Sequence, residues 1–160
     1  MTDPHYSPEL LELFQKGIRE IFSPDQMQSF LHCDVMALPS IEKAVLTAEA
    51  AIGFQAAGGL FLRSGLAAFK YMVREHGKAI GIDDLDFRLQ PQRKRLMDGF
   101  VKITDLLDSW QAARFSITKS GDDVEVTIRS YGGSLSISGE QIALHFEAGL
   151  FQEYLYWAGG

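Results

Sequence analysis

The chain has 160 residues, 46% of them hydrophobic and 22% charged, with a formal net charge of −6. That length is enough for one domain with a buried core, and the composition excludes a disordered or low-complexity chain. A single cysteine, Cys33, excludes an internal disulfide framework and a multi-cysteine metal site.

In chain order, "SPELLELFQKGIREIF" reads as a first helix, with Ser7 as its cap, Pro8 in its first turn, and Phe14, Ile18 and Ile21 on one face. "SPDQMQSFL" restarts as a short helix with Ser23 and Gln26 at capping-box spacing. After Pro39, Ser40 caps a third helix with Ile41, Val45, Ala48 and Ile52 on its apolar face, ended or kinked by Gly58 and Gly59. "GGLFLRSGLAAFKYMVREHGKAIG" (58–81) then sets Leu62, Gly65, Leu66, Phe69 and Val73 on one side and Arg63, Lys70 and Arg74 on the other. Gly65 therefore falls on the apolar face of a helix, where glycine costs about 0.5–1 kcal/mol relative to alanine. Pro91 opens a further helix with the stripe Leu96, Phe100, Ile103, Leu107 and Trp110.

The period then changes to two. "RFSITK", "VEVTIR" and "SLSIS" read as three short antiparallel strands, and "EQIALHFEAGLFQEYLYWAGG" returns to helix. The expected class is α+β: N-terminal helices packed on an antiparallel β-meander with a C-terminal helix, all in one domain over residues 1–160, the N-terminal helical part covering about 7–57.

Charge is unevenly spread. Residues 60–102 hold nine Lys or Arg against five Asp or Glu, while each flanking segment holds three basic residues against eight acidic ones. The densest basic patch, "RLQPQRKR" (88–95), contains no aromatic residue for base stacking and reads as a solvated helix start, so no nucleic-acid partner is expected. No run approaches a membrane span, and the N-terminus lacks the layout of a signal peptide, which gives a cytoplasmic protein as the expectation. The glycine-rich stretch has the wrong spacing for a dinucleotide fingerprint or a Walker loop, no nucleophile elbow appears, and no two histidines stand at metal-ligand spacing. Asp83, Asp84 and Asp86 lack the glycine and the closing glutamate of a calcium loop. His76 and His145 read as hydrogen-bonded structural residues and Cys33 as an inert half-buried thiol. No catalytic set, cofactor or metal is expected.

Residues 58–94 resemble the core of the 4-vinyl-reductase, or hydrocarbon-binding, domain family. The features that carry the resemblance are Gly58–Gly59, Arg63, Gly65, Ala68–Phe69, Gly77, Gly81, the Phe87–Leu89 run and Pro91, and later Gly149, Leu150, Gln152, Trp157 and Gly159–Gly160. The resemblance implies a helix-plus-sheet module related to subunits of trafficking complexes that hold an acyl chain. It also implies a sensory, regulatory or carrier role for a small hydrophobic molecule rather than catalysis, with an accessory role to a tetrapyrrole vinyl reductase as the enzymatic alternative. Sensor members of the family hold zinc through cysteines. Here Leu144 stands at the first such position, "SYGGSLSISG" replaces a cysteine pair, and the sequence does not reach the family's terminal hairpin. No zinc site is therefore expected.

The expected ligand site lies between the helix around residues 60–72, the helix around 100–110 and the sheet, lined by Leu62, Gly65, Leu66, Phe69, Phe100, Trp110 and Phe146. Eleven Phe, five Tyr and two Trp supply aromatic surface for such a lining. The competing expectation is a homodimerising interaction module with a filled core, because the last helix is apolar on more than one face.

Overall fold

Three serines start three helices by the same chemistry. In the computed structural model, which describes residues 7–34, 37–38, 40–110, 113–121, 123–130 and 145–160, Ser7 caps α1 (Pro8–Ile21) by accepting from the Leu10 backbone N–H. Ser23 caps α2 (Pro24–Gln26) in a complete capping box with Gln26, and Ser40 caps α3 (Ile41–Ile52) by accepting from Lys43 N–H. Each hydroxyl satisfies one of the donors that a helix N-terminus leaves unpaired. Between α2 and α3 the chain widens into a π-helix, Met27–Leu31, which the sequence pattern does not announce.

The break after α3 falls at Gly53, not at Gly58–Gly59 as expected. Gly53 has φ +88°, a conformation that side chains other than glycine's rarely adopt, and it serves both as the end of α3 and as the cap of α4 (Phe54–Ile80). Gly58 and Gly59 are interior residues of α4, which runs 27 residues, about 40 Å at 1.5 Å per residue. A short α5 (Leu85–Arg88), α6 (Gln92–Ser109) and α7 (His145–Gly159) complete the helices. β1 (Ala113–Ser120) and β2 (Asp123–Ser130) pair antiparallel, with Phe115 opposite Ile128 and Ile117 opposite Val126.

The α+β expectation is overturned. Two of its strands form as a hairpin, and "SLSIS" lies outside the described residues. Among the described residues the strands make a two-stranded ribbon, which touches α6 and is not the layer on which α4 packs. The body of the protein is helix on helix: α4 is flanked by α1, α3 and α7, and β1 lies against α6. The physical reason is the small residues of α4. On one side Ser64 and Ala68 receive α1 at Gly17, and on the other Gly65 receives α7 at Gly149. With both flanks taken by helices, no sheet is needed to bury α4.

The α4–α7 contact is made by backbone. A Cβ added to Gly65 would overlap the carbonyl oxygen of Phe146 and lie 3.0 Å from the Gly149 Cα, and a Cβ on Gly149 would overlap the carbonyl oxygen of Leu62 and lie 2.9 Å from the Leu66 nitrogen. The two helices run in the same direction, since Gly58 meets His145 at one end and Phe69 meets Trp157 towards the other.

Gly65→Ala and Gly149→Ala should each lower the unfolding free energy by about 1–3 kcal/mol, the usual cost of overpacking, despite the gain of up to about 1 kcal/mol in helix propensity. Gly59→Ala is the control, because a Cβ there meets nothing within 4 Å, and it should be neutral or slightly stabilising. Urea denaturation of the three variants checks this, and equal responses would rule out the crossing.

Candidate functional site

The residues to which the sequence assigns a ligand fall at three places in the packing. Leu62, Gly65 and Leu66 sit at the α7 crossing beside Phe146, whose ring meets Phe14 of α1 edge-on at 5.0 Å. Phe69 and Phe100 both face Tyr154, at 6.3 and 5.1 Å between ring centroids, so what lies between these two residues is a side chain of α7. Trp110 meets His76 edge-on at 4.8 Å, and its carbonyl accepts from the Ser7 N–H. Gly65, Phe69, Phe100, Trp110 and Phe146 are buried, while Leu62 and Leu66 are half-buried.

Tyr154 joins α7 to α6. Its ring enters the space left by Gly99, and its hydroxyl donates to the Arg95 carbonyl at 2.7 Å, with the Leu96 carbonyl at 3.1 Å. Arg95 returns the contact by donating through Nε to the Ala158 carbonyl at 2.8 Å, which places a cation at the C-terminal end of α7, where the helix dipole favours it.

Two titratable groups of α7 are perturbed by burial. His145 is pushed below the usual histidine range by desolvation, and its Nε2 is buried with no hydrogen-bond partner among the described residues. Glu147, at 2% exposure, has its carboxyl pushed up to about 7 by burial, only partly opposed by a hydrogen bond from its own backbone N–H. Neither stands in a cavity described for this structure, and the described residues hold no group of three or more His, Cys, Asp or Glu placed to share a metal ion.

One open volume lies at the corner where the π-helix turns the chain from α2 towards α3. Leu31, His32, Cys33, Ala37 and Leu38 on one side, and Lys43, Ala44 and Thr47 of α3 on the other, enclose about 460 Å³. A second cavity of about 260 Å³ lies among Arg19, Phe22, Pro24, Met27, Gln28 and Asp34, so the π-helix contributes to both. The i→i+5 winding is rare and frequently occurs at functional sites. It ends at His32, the only described non-glycine residue with positive φ, at +56°.

The larger cavity has an apolar floor of Leu31, Leu38 and Ala44 and a rim of His32, Cys33, Lys43 and Thr47. The Thr47 hydroxyl is already committed to the Lys43 carbonyl at 2.7 Å. Burial pushes the Cys33 thiol up, Asp34 adds to the rise and Lys43 opposes it, so the thiol stays protonated at neutral pH and is a poor nucleophile. This arrangement can hold a small molecule, and no nucleophile and base are paired in its wall. Sequence reasoning missed the site because a π-turn and a loop between Leu31 and Ser40 carry no periodicity. The available signals were the capping box that isolates the segment and Pro39 that ends it.

Glu147 generates a pH prediction. A carboxyl whose folded pKa is raised from 4.5 to about 7 contributes stability that is fully present below about pH 4.5 and is lost as pH rises through 7. The rise from 4.5 to about 7 corresponds to roughly 3 kcal/mol. Glu147→Gln should therefore stabilise the protein at pH 8 by up to that amount and change little at pH 4.5, as measured by denaturation at the two pH values. A pH-independent difference between the variant and the parent would show that this carboxyl is not desolvated.

Compared with protein-family models, curated proteins and solved structures, the chain has no match.

Proposed function

We propose that the protein is a non-enzymatic binding module for a small hydrophobic molecule, with a sensory, regulatory or carrier role. The observation that carries this reading is the cavity of about 460 Å³ beside the π-helix, with its aliphatic floor and short polar rim. Its volume lies within the roughly 300–1,000 Å³ typical of small-molecule sites, and four of its eight described lining residues, Leu31, Ala37, Leu38 and Ala44, are apolar. The resemblance of residues 58–94 to hydrocarbon-binding domains supports the same class of ligand, although it directs attention to α4 and α7 rather than to this corner. None of the helices among the described residues is long and apolar enough to cross a membrane. A cytoplasmic location is part of the proposal.

The test is a thermal-shift and calorimetric screen of neutral aromatic and aliphatic compounds against the parent and Thr47→Phe. Thr47 is half-buried on α3, so the larger side chain enters the cavity without entering the helical core. Compounds that bind the parent should bind Thr47→Phe at least tenfold more weakly. A parent that binds none of them, or a variant that binds equally well, overturns the reading.

A second reading, self-association, is favoured by one observation. Seven of the 15 residues of α7 are buried within the chain, yet the adjacent Leu155 and Tyr156 remain 45% and 69% exposed. A homodimer using this face should sediment as a dimer at micromolar concentration, and Leu155→Glu with Tyr156→Glu should yield monomers. A monomeric parent ends this reading.

A further inference from the structure

The chemistry of the cavity rim narrows the ligand class. Lys43 is the third residue of α3, and its backbone N–H is taken by Ser40. A cation in the first turn of a helix stands at the unfavourable end of the helix dipole. Among the described residues Lys43 makes no ion pair. Among the described residues the cavity lining contains no carboxylate: its polar members are His32, the protonated Cys33 thiol, Lys43 and Thr47. Asp34 lines the neighbouring cavity and acts on Cys33 from there, and Glu42 lines neither cavity. An ammonium group thus stands at the rim of an apolar volume whose described lining contributes no carboxylate of its own.

We infer that the cavity takes a molecule with an apolar body and an anionic head, the body on Leu31, Leu38 and Ala44 and the head at Lys43. The inference rests on the binding reading above and adds the charge of the ligand to it. An anion at this position would relieve the unfavourable placement of Lys43 against the α3 dipole and exchange water for a charge-assisted contact at the rim. A cationic head meets only like charge there. A neutral head keeps the apolar contacts and gains nothing from Lys43.

Three compounds with one ring system separate these cases: 2-naphthoate, 2-naphthalenemethanol and 2-naphthylmethylammonium, titrated calorimetrically against the full chain. The carboxylate should bind about tenfold more tightly than the alcohol, the size of effect expected of one charge-assisted contact, and the ammonium compound most weakly. Lys43→Gln should abolish the preference for the carboxylate, so that the two affinities become equal, and Lys43→Arg should retain the preference. Lys43 is exposed, so neither variant disturbs the core, and thermal denaturation verifies that both fold. If the parent binds the carboxylate and the alcohol equally, or Lys43→Gln retains the preference, the anionic-head inference fails while hydrophobic binding stands. If the parent binds none of the three, the binding reading fails and the inference falls with it.

Discussion

The arrangement of this protein depends on the contact of α4 with α7 at Gly65 and Gly149. Each glycine lies where a methyl group would overlap a backbone oxygen of the other helix, so the two backbones touch without intervening side chains. Such an approach gains dispersion along the length of both helices, and it fixes their relative translation, because only the Gly65–Gly149 level admits it. A glycine that weakens α4 as an isolated helix strengthens it as a packed one. The intrinsic cost of about 0.5–1 kcal/mol is offset by contacts that alanine would prevent.

The remainder of the core follows from that level. Directly beside the crossing, Ser64 and Ala68 accept α1 at Gly17, so α1 and α7 close on α4 one residue apart. The large side chains are displaced to either side of the pinch. Phe14 bridges to Phe61 and Phe146, while Phe69, Phe100, Phe151, Tyr154 and Trp157 form an aromatic group further along α7. Tyr154 completes the attachment of α6 by placing its hydroxyl on main-chain carbonyls beside Gly99. The low amphipathicity of α7 has its explanation here. With α4 on one side and α6 on another, a helix that meets two partners needs apolar residues most of the way round.

This packing also bears on where a ligand can be held. Backbone contact and interlocking rings close the core where α7 meets α4 and α6. Space opens where regular packing ends, at the π-helix between α2 and α3, because a wider turn and a left-handed His32 redirect the chain before α3 begins. The neutral thiol of Cys33 and the charged Lys43 face this space, whereas the buried Glu147 and His145 belong to the core around α7. The helical core and the proposed binding corner are thus separate parts of one chain, which allows substitutions at Lys43 or Thr47 to change binding without repacking α4.

What the sequence determined by itself was local. Ser7, Ser23 and Ser40 start helices because a side-chain oxygen three residues before an unpaired N–H is a short-range device, and the alternation of Val124, Val126 and Ile128 pairs with that of Phe115 and Ile117 for the same reason. The apolar periodicity also placed Gly65 on a buried face. Tertiary structure decided what that face meets. A stripe of Leu62, Gly65, Leu66 and Phe69 fits a helix, a sheet or a ligand equally well, and only the opposing Gly149, more than eighty positions away, makes it a helix crossing. The same holds for the class of the fold, since periodicity reports that a face is buried and not by what. It holds for the corner cavity as well: Leu31, Lys43 and Thr47 are ordinary residues in the sequence, and they surround a common space only because the π-turn brings α3 back beside it.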